Sequence, residues 1–334
     1  MKILFVDDVC PRPYEVTSLD TMPMGGTEAT CARLIRELSK QDTIFMSQQK
    51  RTEEHVDSLG ISYLKADTLV DSPDAVITLR DARTFRIVNE RYPKAKHYLW
   101  MHDVVSGPYL EHLQQCIVDF PTTMLAGSLW HKMQIAGQLP DQFNKGLLKI
   151  EQVTNFVEHY CDRTSDRSFD PYKLSFFSSP HKGLERVLTL FTELHKRESK
   201  YQLYISNPGY FANREDLPEG VVQLGVLSHK DAIESIRTSL CTFYPNNTFP
   251  ETFGLVYAES NAVGTPVLCH DIGAAKEIIT TPQQMVSEDP EVVYKTVMDW
   301  TAGLRPVVKV KEQYTIGEAI RDWRKMLNPM RLLK

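Results

Sequence analysis

The chain has 334 residues, 42% hydrophobic and 24% charged, an ordinary globular composition, and its length exceeds a single usual core. A formal net charge of −5 argues against a nucleic-acid-binding surface over the whole molecule. No stretch approaches eighteen apolar residues, and six cysteines at 10, 31, 116, 161, 241 and 269 lack any Cys-x-x-Cys, the pattern of reduced, mostly buried thiols.

The opening "MKILFVDD" carries one positive residue and too short an apolar core for a signal peptide, so it reads as a buried strand ending in acids. A proline-bearing loop follows, then "PMGGTE", a Gly-Gly turn entering a helix with Ala29, Leu34, Ile35 and Leu38 on its apolar face. Glycine admits close approach of a ligand to backbone, and a helix start offers N–H groups to an anion, so Gly25 and Gly26 are candidate binding positions. The turn is not a Gly-x-Gly-x-x-Gly fingerprint, no Walker sequence is present, and a simple tight turn reads it as well.

"DTIFMS", "DAVITLR" and "KHYLWMHD" are short strands, each leading into polar or helical sequence. The last places His102 and Asp103 at the end of a strand, where α/β domains build their sites; His102 can donate to a sugar hydroxyl or phosphate, or serve only structurally. "TTMLAGSLWHKMQIAG" repeats the strand-then-helix grammar, with Ser128 as N-cap. His112 and Cys116 stand one helical turn apart without further ligands, so zinc is not expected. Near "QVTNFVEHYCDRTSDRSFDPY" the pattern lapses into turn formers, which marks a domain boundary.

The grammar then restarts. "KLSFFSS" is a strand and "KGLERVLTLFTELHKR" a helix, with Ser178 and Ser179 in the loop between and Lys182 at the first helical turn. A cation there opposes the helix dipole, so a bound anion would rationalise it, as would an ordinary surface lysine. "YQLYIS" and "GVVQLG" are strands; Ser228 caps the helix "HKDAIESIRTS". "LCTFYP" leads into "FPETFGLVYAESNAVGTPVL", expected to hold a helix of about a dozen residues. Glu251 and Glu259 lie eight apart, which on one helix puts them within about 80° of each other and roughly 12 Å along the axis. Both can then reach one elongated ligand, although a capped helix with one exposed acid fits the spacing as well. The closing segment places Ile316, Ile320, Trp323 and Leu327 on one stripe that needs a partner surface. Alternating strands and helices imply two doubly wound α/β domains with ligands at the carboxyl ends of strands and in the cleft between.

Taken in order, "GGTE", "WMHD", "GSLWHKM", "TNFVE", "SSPHKGLERVL", "VVQLGVLSHKD" and the long glutamate segment with Glu-x-Phe-Gly and Ala-x-Gly-Thr-Pro-Val resemble the retaining glycosyltransferases of family 4 over nearly the whole chain. The resemblance implies the GT-B fold: two Rossmann-like domains facing across a cleft. Residues 1–158 are then the acceptor-side domain and 159–312 the nucleotide-sugar domain, with a helix in 313–334 packing back on the first. It also implies that Glu251 contacts donor-sugar hydroxyls and Glu259 the ribose. The amides of Phe253, Gly254 and Leu255 face the sugar and diphosphate, Lys182 binds the diphosphate, Gly26 closes over it and His102 lies near the transferred sugar. Two positions depart from the pattern. Phe176 stands where many relatives have a phosphate-binding arginine, for which Ser178 and Ser179 partly substitute, and Phe156 replaces a hinge glycine.

The expected reaction is metal-independent transfer of a sugar, with retention, from a nucleoside-diphosphate sugar to a hydroxyl of a glycan, a lipid-linked acceptor or another acceptor. No cofactor beyond the donor substrate is expected, and no Asp-x-Asp stands in the chain. The alternatives are a sugar-nucleotide epimerase, a phosphorylase-like enzyme, or a non-catalytic nucleotide-sugar-binding scaffold subunit. The expected location is cytoplasmic. Peripheral membrane contact stays open, because "WHKMQIAGQLPDQFNKGLLK" mixes apolar and basic residues.

Overall fold

The computed structural model describes residues 1–162, 168–207, 209 and 214–328. Part of the polar stretch taken as the boundary and the last residues of the closing segment lie outside them. Two compact units emerge: one of Met1–Leu19, Gly26–Thr154 and the chain from Ala319 on, the other of Asp20–Gly25 and Asn155–Glu318.

The first unit holds β1 (Lys2–Val6), β2 (Thr43–Gln48), β3 (His55–Val56), β4 (Ser62–Lys65), β5 (Ala75–Leu79), β6 (Lys96–Trp100), β7 (Thr122–Ala126) and β8 (Leu148–Gln152). They form one sheet in the order β3-β4-β2-β1-β5-β6-β7-β8. All neighbours are parallel except β3 and β4 at the edge. The "AVITL" run of β5 is buried throughout, as a strand covered on both faces must be. Helix Gly26–Ser39 buries Cys31, Leu34, Ile35 and Leu38, and helix Ala82–Arg91 starts where Asp81 accepts from the Thr84 amide. Strand order reverses between β1 and β5, so the crevice at their carboxyl ends is a topological switch point.

The apolar stripe of helix Ile316–Leu327 finds its partner surface at the end of β6 and after β8. Trp323 packs edge-on against Trp100, with centroids 4.8 Å apart, and its Nε1 donates to the Thr154 carbonyl at 3.2 Å. Trp323 is 1% exposed.

The second unit holds β9 (Asp170–Phe176), β10 (Gln202–Asn207), β11 (Val221–Val226), β12 (Ser239–Tyr244) and β13 (Val267–Cys269). Their order is β11-β10-β9-β12-β13, all parallel. Its switch point lies between β9 and β12, at Phe176 and Tyr244. The loops carrying Ser178 to Gly183 and Asn246 to Gly254 leave from there.

Two local expectations are corrected. Helix Leu255–Ala262 is eight residues long, so Glu251 is not on it. Gly254 ends the preceding loop at φ +84°, a left-handed conformation that interrupts any helix started earlier; a Cβ there would lie 2.6 Å from the Tyr257 ring. Lys182 likewise sits in a 3₁₀ turn, Pro180–Lys182, ahead of helix Leu184–Arg197. Gly183, at φ +97°, separates the two because only glycine takes that conformation without strain. Ser128 and Ser228 cap their helices as expected, accepting from the amides of His131 and Asp231. All six cysteines are buried and none is in a disulfide.

Candidate functional site

The loops at the β9/β12 switch point converge on Glu251. Lys182 Nζ donates to both carboxylate oxygens, at 3.0 Å to Oε1 and 2.8 Å to Oε2, and the Tyr244 hydroxyl donates to Oε1 at 2.8 Å. Glu251 is 6% exposed, so its charge is held inside the protein by a cation and a hydroxyl together. Burial, and then the neighbouring carboxylate, push the Tyr244 hydroxyl well above its ordinary pKa, so it stays a proton donor. Ser178 Oγ lies 3.4 Å from that hydroxyl, and the Ser179 carbonyl accepts from the Lys182 amide at 2.9 Å.

The surrounding loop is tightly determined. Asn246 Oδ1 accepts from the amides of Thr248 and Phe249, which turns the Phe249 ring under Lys182 Nζ at 5.1 Å. The Glu251 carbonyl accepts from the Ala274 amide at 2.9 Å, tying the glutamate loop to the segment after β13. Phe253 is buried edge-on against Tyr314, while Gly254 and Leu255 form the start of the following helix. Phe176, at the position expected of an arginine, is 1% exposed and stacks on Tyr244 with planes 16° apart and centroids 5.3 Å apart. It supports the hydroxyl that holds Glu251. Phe156 is a buried core residue, 3% exposed.

Glu259 lies inside helix Leu255–Ala262, where its Oε1 is 2.8 Å from His229 Nε2. His229 Nδ1 is in turn 2.5 Å from the Tyr160 hydroxyl. Neither Tyr160 nor His229 carries a motif that sequence spacing would single out. Tyr244 was visible only as the last residue of a strand.

Gly25 falls in the second unit with these residues, whereas Gly26 and His102 belong to the first. Gly26 opens helix Gly26–Ser39, and a Cβ built on it meets nothing within 4 Å among the described residues. His102 follows β6 with its ring 4.4 Å from that of Trp100; burial, and then the charge of Arg80 and His131, hold it well below the ordinary histidine pKa. Close by in the fold, at the β1/β5 switch point, Arg80 donates to Asp7 at 3.2 Å and to Glu28 at 3.0 Å. Arg80 adopts φ +62°, uncommon for a residue with a Cβ, and this buried ion cluster was not read from the sequence. Glu28 is the glutamate of "GGTE", so the cluster ties that motif to β1 and β5.

Residues 178–295, which contain Glu251, Lys182 and Glu259, match the family model for glycosyl transferases group 1. A curated relative, alpha-monoglucosyldiacylglycerol synthase of Streptococcus pneumoniae (strain ATCC BAA-255 / R6), is 27% identical over 99 residues. That match spans 28% of this chain and 22% of the relative, so the chain aligns with about a fifth of its length. The structure of Anabaena HepE in complex with UDP and glucose superposes with a TM-score of 0.64 at 12% identity, covering 99% of this chain and 100% of that one. An alpha,alpha-trehalose-phosphate synthase (UDP-forming) from Burkholderia vietnamiensis superposes at 0.66 and 10% identity, covering both chains fully. The fold is therefore α/β with two parallel-sheet domains of the GT-B type. Among the described residues no helix is long and apolar enough to cross a membrane.

Proposed function

We propose that the chain is a retaining glycosyltransferase of family 4 that moves a sugar from a nucleoside-diphosphate sugar to an acceptor hydroxyl without a metal ion. The observation that carries this reading is the Lys182–Glu251–Tyr244 constellation at the switch point of the glycosyl transferase group 1 domain. In the donor complex Lys182 turns to the diphosphate and Glu251 takes donor-sugar hydroxyls, while Glu259 accepts from the ribose. Ser178, Ser179, the backbone of Gly25 and Gly26, and the amides around Phe253, Gly254 and Leu255 supply further hydrogen bonds. The barrier is departure of the diphosphate, whose growing negative charge Lys182 and these amides stabilise. The leaving phosphate oxygen takes the acceptor proton on the face from which it departs, so the anomeric configuration is retained. His102, held neutral by burial, offers a hydrogen bond to the transferred sugar.

The acceptor is a glycan, a lipid-linked sugar or another hydroxyl compound. The name of the pneumococcal relative favours a lipid acceptor, and with it peripheral membrane contact from a cytoplasmic protein. The HepE complex favours a uridine diphosphate donor.

Melting of the purified chain against UDP, GDP, ADP, TDP and CDP, with and without EDTA, tests the donor half. Saturation near a hundred times Kd stabilises by about 2.7 kcal/mol. A shift with one diphosphate, unchanged by EDTA, supports the reading, and the anomeric configuration of a transfer product then decides retention. Binding without any transfer or donor cleavage would favour a scaffold subunit, and interconversion of donor sugars an epimerase.

A further inference from the structure

We propose that the first unit carries a binding site for a small organic ammonium compound, in the cavity between β1 and helix Ala82–Arg91, with Asp8 as the residue that holds the cation.

The cavity follows from the connectivity. β4 ends at Lys65 and β5 begins at Ala75, so residues 66 to 74 alone carry the chain across β2 and β1. A parallel crossover ordinarily takes a dozen or more residues, with a helix that covers the sheet. Here a loop makes the crossing, and part of that sheet face stays uncovered. The result is a cavity of about 180 Å³, with Leu4 and Val6 of β1 as its floor and Val88 and Tyr92 along one wall. Its walls are fixed to each other. The Tyr92 hydroxyl accepts from the Val70 amide at 3.1 Å, and Arg91 donates to the Ala66 carbonyl at 2.9 Å, so loop and helix are tied on both sides of the opening. A cavity of about 150 Å³ is enough for benzene, so this one holds a six-membered ring with a short substituent.

Asp8 and Thr84 line the same cavity, at the carboxyl end of β1. Asp8 Oδ1 is buried and has no hydrogen-bond partner among the described residues. Oδ2 is little better served. Thr84 Oγ1 lies 3.3 Å from it, but that hydroxyl has one hydrogen and stands closer, at 2.8 Å, to Asp81 Oδ2. Burial, opposed by the Thr84 contact, and then the charges of Asp81 and Asp7 raise the Asp8 pKa. Asp7 is already paired with Arg80, and Arg91 lies two helical turns beyond Thr84 with its bond directed to Ala66. A buried carboxylate without a partner is costly. An ammonium group supplies both the missing hydrogen bonds and the missing charge, whereas a hydroxyl supplies only the first. An apolar body behind the ammonium covers Leu4, Val6 and Val88. This chemistry does not depend on the donor reading.

The test titrates cyclohexylmethylamine, and its isostere cyclohexylmethanol, into the full chain and follows the methyl resonances of Leu4, Val6 and Val88. We expect the amine to shift them with a Kd of about 1 mM or tighter, and the alcohol to bind at least tenfold more weakly. Asp8→Asn keeps the size of the side chain and removes its charge. It should cost the amine at least tenfold, leave the alcohol within about threefold, and melt no lower than the wild type. Ala66→Phe, which fills the cavity from the loop, should abolish the shifts from both compounds. Equal binding of amine and alcohol, or amine binding that survives Asp8→Asn, overturns the cation site. So does a wild-type chain whose methyls do not respond at several millimolar amine. Lys182, Glu251 and Glu259 lie in the other unit, so none of these outcomes bears on the donor reading.

Discussion

Lys182 Nζ is shared between the two carboxylate oxygens of Glu251, 2.8 and 3.0 Å away, so the two side chains proposed for different parts of the donor are bonded to each other. On the proposed reading, a diphosphate draws Lys182 off a buried carboxylate and the sugar hydroxyls replace it. Donor binding is then proposed to be an exchange of partners whose cost falls on the diphosphate.

This predicts that Glu251→Gln binds the nucleoside diphosphate at least as tightly as the wild type, because Lys182 is no longer held by a carboxylate, while transfer falls at least a hundredfold. The amide oxygen still accepts from Tyr244, so the fold persists. Calorimetry with UDP alongside a transfer assay reads both quantities. Clearly weaker nucleotide binding by this variant would place Glu251 on the diphosphate and not on the sugar.

Phe176→Arg restores the residue type that many relatives carry, yet it should not improve the site. The ring is fully buried and stacks on Tyr244, so a guanidinium there loses that packing and enters an apolar pocket. Loss of about 3–5 kcal/mol of stability is expected, from the scale of large aromatic deletions in cores. Urea denaturation measures it. A stable variant with tighter UDP binding would show that the strand end opens to the phosphates after all.

Two glycines should differ in what they cost. Gly183→Ala forces φ +97° on a residue with a Cβ and sets that Cβ 2.8 Å from Asn246 Oδ1, disturbing the loop under Lys182. It should cost about 1–3 kcal/mol of stability and weaken the nucleotide as well. Gly26→Ala meets no neighbour among the described residues, so melting should stay within a degree or two, while diphosphate affinity drops about tenfold if backbone approach is what the position serves. Unchanged affinity in Gly26→Ala would remove that residue from the site.

Acid should destabilise the first unit through its buried histidines. Burial lowers His131 from 6.5 to about 4, and His102 is lowered as well. A depressed folded-state pKa means that the unfolded chain takes up protons first as pH falls below 6.5, so stability is complete above 6.5 and is lost down to about 4. For His131 alone the loss amounts to about 3 kcal/mol. Denaturation midpoints from pH 7 to 4.5 should fall for the wild type and fall less for His131→Gln. Parallel curves for the two proteins would assign the acid sensitivity elsewhere.

Periodicity and composition carried most of the fold. Runs such as "AVITL" and "LCTFYP" are apolar on both faces, a requirement of buried parallel strands, and Ser128 and Ser228 announce helix starts through a local bond that needs no tertiary partner. The glutamate segment stood out for the same reason: its residue types and order are local. Other features were decided by contacts between distant parts of the chain. The helix after Phe253 starts later than spacing suggested because Gly254 turns left-handed against Tyr257, and Lys182 leaves the helix because Gly183 must pass Asn246. Phe176 became a support for Tyr244 only when β9 and β12 were set side by side. The Tyr160–His229–Glu259 chain and the Asp7–Arg80–Glu28 cluster join residues tens of positions apart, where no local periodicity registers them. Sequence determined which segments are strands and helices, because burial patterns repeat over a few residues; tertiary structure alone decided which charges meet, because a buried charge is tolerated only where the fold brings it a partner.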